Sequence, residues 1–194
     1  MIPTWTLEID TIERWAYMEN LFSPSECDAI IQYGKSAPLK QGGVDGEQLQ
    51  DNITNYRNSN VRFIGPTNEI VWVYQKFTNA VNELNSKYFK FDLSAFNEGL
   101  QFTEYVAPNG KYDYHVDKTY KKIVRKLSLV LLLSDENSYI GGDFEIIDGA
   151  DPEKLPKKRG TLLAFPSWTM HRVTPITEGT RYSLVGWVGG KQFR

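Results

Sequence analysis

The chain has 194 residues, of which 41% are apolar and 24% charged, with a net charge of −2. That is enough for one soluble globular domain with a proper core, and one domain over 1–194 is expected. The charge balance gives no footprint for nucleic acid or a membrane surface, and the single cysteine, Cys27, excludes an internal disulfide.

At the N-terminus Glu8, Asp10 and Glu13 interrupt the apolar stretch that a signal peptide needs. No apolar run approaches the roughly 20 residues that span a bilayer, so a cytoplasmic setting is expected. In "LFSPSECDAIIQYGKSAP" Ser23 is placed to cap a helix, with Pro24 at its first position and Glu26 closing a capping box. Ile30, Ile31 and Tyr33 give that helix its apolar face, and Gly34 is the expected stop. Residues 40–56 are polar and glycine-bearing without a period, which suits a lid or binding loop and equally a surface excursion. "YRNSNVRFIG" predicts a strand ending at Gly65-Pro66. The segment "TNEIVWVYQKFTNAVNELNSKYF" predicts a longer helix that buries Ile70, Val73, Tyr74, Phe77, Val81 and Leu84.

Beyond Gly99 short apolar or alternating runs are broken by Gly, Pro, Asn and Asp, the pattern of a β-sandwich or barrel. The expected class is α+β, mainly β, with the N-terminal helices packed on one sheet. "KLSLVLLLS" (126–134) is apolar on both faces, as for a strand covered on each side. "RYSLVGWVGG" divides into Tyr182, Leu184 and Val188 on one face and Arg181, Ser183, Val185 and Trp187 on the other.

The chain has two histidines. As a strand, 111–117 sends Tyr112, Tyr114 and Val116 to one side and Asp113, His115 and Asp117 to the other. His115 and a carboxylate two residues away can reach one metal ion, although periodicity does not choose between Asp113 and Asp117. With His171, downstream of the strand-like "GTLLAFPS", they make the two-histidine, one-carboxylate set used for non-haem Fe(II). Ten residues after His171 stands Arg181, whose planar guanidinium can grip a carboxylate through two hydrogen bonds. An interior salt bridge to Asp or Glu is its other use.

Together "YHVDK", "YIGGDFEI" and "GTLLAFPSWTMHRVTPITEGTRYSLVGW" resemble the 2-oxoglutarate- and Fe(II)-dependent oxygenases, in their prolyl 4-hydroxylase-like branch. "LFSPSECDAII" and "NYRNSNVRF" are similar to that branch too, so the resemblance runs from about residue 20 onward. It implies a double-stranded β-helix (jelly-roll, cupin-like) core. By position it implies His115, Asp117 and His171 as iron ligands, and Arg181 as anchor for the distal carboxylate of 2-oxoglutarate. It further implies Tyr105 with its hydroxyl toward the cosubstrate, and Phe144, Val173 and Trp187 as pocket lining. Ser183 completes an Arg-x-Ser that other members of the superfamily use on the same carboxylate. "LVLLLS" lacks the tyrosines that some relatives carry in that strand, which either puts more weight on Tyr105 or makes the pocket different.

The implied chemistry is hydroxylation of an unactivated C–H bond with Fe(II), 2-oxoglutarate and O2, releasing succinate and CO2, with ascorbate supporting activity. A carboxylate at Asp117 favours hydroxylation over halogenation. The implied substrate is a prolyl residue in a peptide or protein. The alternatives are a free amino acid or other small molecule, or a catalytically silent sandwich that binds metal or ligand. Arg57, Tyr112, loop 40–56 and "KTYKK" (118–122) are candidate substrate-facing elements. Nothing in the sequence speaks to oligomeric state.

Overall fold

In the computed structural model the described residues are 11–43, 53–117 and 124–191. The elements in chain order are β1 (Ala16–Met18), α1 (Pro24–Lys35), β2 (Lys40–Gln41), α2 (Ile53–Tyr56), β3 (Arg57–Asn58), β4 (Asn60–Ile64) and α3 (Val71–Leu84). They continue with β5 (Leu93–Phe96), β6 (Leu100–Val106), β7 (Gly110–His115), β8 (Arg125–Leu132), β9 (Tyr139–Gly141), β10 (Phe144–Ile147), β11 (Pro152–Lys154), β12 (Leu162–Pro166) and β13 (Met170–Gly190). The strands begin before Gly99, with β5 already in place. None of the described helices is long and apolar enough to cross a membrane.

Helix α1 starts where local chemistry dictates. Ser23 Oγ accepts from the Glu26 N–H at 3.3 Å, and Glu26 Oε2 accepts from the Ser23 N–H at 2.8 Å, closing the capping box. Gly34, expected to stop the helix, lies inside it. A Cβ there would fall 2.5–2.7 Å from the Phe102 ring, so the glycine is a close-packing point between α1 and β6. Cys27, Ile30 and Gly34 are the buried face, with Ile31 and Tyr33 at its edges.

Helix α3 buries Val73, Phe77, Ala80, Val81 and Leu84. Tyr74 sits at its edge and donates to the Ile64 carbonyl at 2.6 Å while accepting from the Leu100 N–H at 3.0 Å, tying β4 to β6. The last turn, Asn85–Phe89, widens to a π-helix and ends at Lys90 in the left-handed region.

Two antiparallel sheets share β13. The larger has the order β1-β12-β8-β13-β6-β4-β2, with β5 also on β13. The smaller joins β7, β9 and β10 to the first half of β13, with β3 beside β7 and β11 beside β10. Straight, the 21 residues of β13 would run roughly 70 Å at about 3.3 Å per residue. Instead the strand passes from one sheet to the other around Gly179, whose φ of +75° an L side chain rarely adopts. This is a jelly roll, and it fixes which face of the large sheet sees what. Leu127, Leu129, Leu131, Leu184 and Val188 pack on α1 and α3 in one core. Val130, Leu132, Leu163 and Phe165 face Phe144, Ile146, Val173 and Ile176 of the small sheet in the other. Helices on one sheet, and β8 buried on both faces, follow directly.

Candidate active site

A cavity of about 650 Å³ opens between the two sheets. Its lining includes all eleven residues singled out from the sequence: Arg57, Tyr105, Tyr112, His115, Asp117, Phe144, His171, Val173, Arg181, Ser183 and Trp187. The expected loop 40–56 contains β2 and α2; residues 44–52, and "KTYKK" at 118–122, lie outside the described residues.

His115 and His171 face each other as a cross-strand pair of β7 and β13. His115 Nε2 lies 3.8 Å from Asp117 Oδ1, and His171 Nε2 lies 3.6 Å from Asp117 Oδ2. One ligand atom from each residue falls within 4.8 Å of the others, so the three can hold one metal ion; Asp113 stands outside this cluster. Each imidazole is oriented from behind. His115 Nδ1 meets the Asp113 carbonyl at 2.7 Å and His171 Nδ1 the Thr169 carbonyl at 2.9 Å. A carbonyl only accepts, so Nδ1 carries the proton and Nε2 is left with its lone pair toward Asp117.

Strict alternation over 111–117 does not hold. Strand β7 ends at His115, and its pairing with β13 shifts register between Tyr112 and His115. This bulge puts Tyr112 on the side of His115, contrary to the expected division of faces. Asp113 turns back on its own strand, accepting from the Tyr114 N–H at 2.8 Å.

Burial first, and then the neighbouring His171, push His115 from its ordinary 6.5 down to about 3. Burial raises Asp117, but His171 and His115 outweigh it and hold the carboxyl below its usual range. A histidine that stays neutral when folded takes up a proton on unfolding below about 6.5, so the unfolded state binds more protons there. The metal-free protein is therefore expected to hold this stability above pH 6.5 and to lose it as pH falls toward 3. Thermal midpoints of the chelator-treated protein across that window check the slope, which His115→Gln should flatten. Stability that rises on acidification would contradict it.

Arg181 is 1% exposed and pairs with no carboxylate among the described residues. Nη1 donates to Ser183 Oγ at 3.3 Å and the Tyr139 hydroxyl lies against the guanidinium, while Nε and Nη2 are buried with no hydrogen-bond partner among the described residues. The salt-bridge use weighed for it is therefore not seen among the described residues. Tyr105 stands opposite in register, its ring 5.5 Å from Arg181 Cζ and its hydroxyl pKa raised by burial. A buried cation with two unused donors is costly unless an anion joins it, and the carboxylate of a dicarboxylic acid fits that need. Phe144 and Phe165 pack on the His171 imidazole with centroids 5.4 and 4.7 Å away, which keeps water off this side.

A match to the model of the 2OG-Fe(II) oxygenase superfamily spans residues 100–189, which hold the three clustered residues and Arg181. Over this segment, 90 of the 194 residues, the chain is similar to the 2OG-Fe(II) oxygenase superfamily. A PKHD-type hydroxylase of Synechococcus sp. (strain CC9311) is 41% identical over 80 residues, covering 41% of this chain and 36% of that protein. The matches span less than half the length of the curated relatives. The likeness in fold extends over about nine tenths of the chain. A prolyl hydroxylase from Trichoplax adhaerens, solved with a hypoxia-inducible-factor peptide fragment, superposes with a TM-score of 0.76 at 16% identity, covering 91% of this chain and 84% of that one. A Pseudomonas putida prolyl-4-hydroxylase gives 0.72 at 19% identity, covering 92% and 94%.

Three features of this site are not apparent from the sequence. Arg125 grips Glu98 through two bonds of 2.7 and 2.6 Å, donates to the Asp117 carbonyl at 3.3 Å and lies 3.9 Å over the Trp187 ring. Among Lys121, Lys122 and Lys126 it reads as one more solvated base. Tyr139 packs beside Arg181: a Cβ on Gly142 would touch Tyr139 Cε2 and Arg181 Cδ at 3.1 and 3.0 Å. Gln101 turns into the cavity and donates to Thr103 Oγ1 at 2.9 Å. The alternation of Gln101, Thr103 and Tyr105 along "LQFTEYV" was the available signal for a polar inner face.

Proposed function

We propose that residues 1–194 act as one 2-oxoglutarate- and Fe(II)-dependent oxygenase domain that hydroxylates a C–H bond of a prolyl residue in a peptide or protein. The observation that carries this is the pairing, in one cavity, of the His115–Asp117–His171 cluster with a buried guanidinium, two of whose nitrogens have no hydrogen-bond partner among the described residues. His115 and His171 offer Nε2, their Nδ1 protons being held by backbone carbonyls, and Asp117 offers the carboxylate. These would hold Fe(II), which supplies the oxygen-activating chemistry when bound. Arg181, with Ser183 and Tyr105 beside it, binds the far carboxylate of 2-oxoglutarate. Phe144, Val173 and Trp187 wall the cavity and keep it dry. The balance is one 2-oxoglutarate and one O2 consumed for one succinate, one CO2 and one hydroxylated substrate, with ascorbate keeping the metal reduced.

A peptide substrate is supported by the names of similar proteins, several of them prolyl hydroxylases, and by the rim of the cavity. Phe63, Val116 and Met170 stand exposed there at 54, 41 and 40%. Incubation with Fe(II), 2-oxoglutarate and a panel of proline-containing peptides is expected to add one oxygen atom to a prolyl residue for each succinate formed, as read by mass spectrometry. Succinate formed at a rate no peptide changes would overturn the prolyl substrate and point to a small molecule.

A further inference from the structure

Strand β7 spends three steps from Tyr112 to His115 where β13 spends two from Val173 to His171. The extra residue turns Tyr112 onto the face of His115, and the two rings lie flat together with centroids 3.5 Å apart and planes at 17°. The Arg57 guanidinium lies 4.3 Å over the same tyrosine ring, and Tyr56 meets it edge-on at 5.8 Å. Arg57 is itself fixed. It is 6% exposed, its Nε donates to Ser59 Oγ at 2.9 Å and its Nη1 to the Gly43 carbonyl at 2.7 Å. Gly42 leaves the room for this: a Cβ there would sit 2.6 Å from Arg57 Nε.

The torsion that sets an imidazole's plane is soft, so one hydrogen bond on Nδ1 does not fix where Nε2 points. His171 has its plane set by Phe144 and Phe165. His115 has the Tyr112 face, and Arg57 holds that face in place by a cation–π contact. We propose that Arg57 and Tyr112 are positioning residues for His115, which set the metal affinity of the site through the plane of its imidazole. This rests on His115 being a metal ligand, as proposed above, and it gives the two residues a different task from touching substrate.

Co(II) titration of the purified full chain, read by its visible spectrum, tests this alongside peptide KM and kcat. Tyr112→Phe keeps the ring and is expected to bind Co(II) as the wild type does. Tyr112→Leu and Arg57→Met are expected to bind it about 10-fold more weakly, with an altered spectrum, the usual consequence of losing an outer-sphere partner. Arg57→Met leaves every aromatic ring in place, so it serves should Tyr112→Leu fail to fold. Wild-type Co(II) affinity and spectrum in Arg57→Met and in any folded Tyr112→Leu, with only peptide KM raised, would overturn the proposal and make these residues substrate contacts. Equal Co(II) binding by wild type and His115→Ala would instead overturn the ligand assignment beneath it.

Discussion

Arg181→Met is expected to raise the thermal midpoint of the protein without cosubstrate while weakening 2-oxoglutarate binding by about 100-fold or more. Arg181 is 1% exposed, and two of its nitrogens have no hydrogen-bond partner among the described residues. Holding such a charge in the core costs free energy, and apolar replacement of buried ionic groups stabilises by about 1–4 kcal/mol. At roughly 2–4 °C per kcal/mol for a chain of this size, the rise is several degrees. Binding moves the other way. Two hydrogen bonds between charged groups are worth about 1.5–3 kcal/mol each, and about 1.4 kcal/mol is a factor of ten. Thermal melts with and without 2-oxoglutarate read both effects at once: the variant starts higher, and the cosubstrate no longer shifts it. A lower midpoint with unchanged 2-oxoglutarate affinity would make Arg181 a structural residue.

His171→Ala is expected to abolish iron-dependent turnover, a fall of at least about 1,000-fold, with the fold kept. The imidazole is 4% exposed and faces both His115 and Asp117, so its loss removes one of three donors from the cluster. The structural cost is limited to the carbonyl of Thr169, left without its partner, and to a small void beside Phe144 and Phe165. An unsatisfied acceptor costs about 1–3 kcal/mol and the void adds to it, so a drop on the order of 10 °C in the midpoint is expected. Circular dichroism and metal content checked together separate the cases. Full turnover in this variant would remove His171 from the site, and a chain that no longer folds would show that its packing matters more than its lone pair.

What the sequence made legible was local or strictly periodic. The α1 capping box is a matter of Ser23 and Glu26 three residues apart, and the stripe of α3 is set by helical geometry. The two faces of the last strand also follow from period two: Leu184 and Val188 meet the helices, whereas Arg181, Ser183 and Trp187 meet the cavity. What escaped depended on distant partners or on a break in the period. Gly34 looks like a helix stop until Phe102 is placed against it. Alternation turns Tyr112 away from His115 because the one extra residue in β7 is invisible to it. Arg125 is hidden among lysines, and its value comes from Glu98 and Trp187, which the fold brings from elsewhere in the chain. Tyr139 reads as a strand aromatic, and only its position across from Gly179, two residues before Arg181, carries it to the guanidinium.

Succinate formation from 2-oxoglutarate by the purified chain, supplied with Fe(II), ascorbate and air, tests the site most directly when wild type and His115→Ala are run side by side. A site built from His115, Asp117, His171 and Arg181 predicts succinate from the wild type, dependent on added iron, and none above background from the variant. Equal succinate from both, or none from a wild type that also binds no iron, would contradict it.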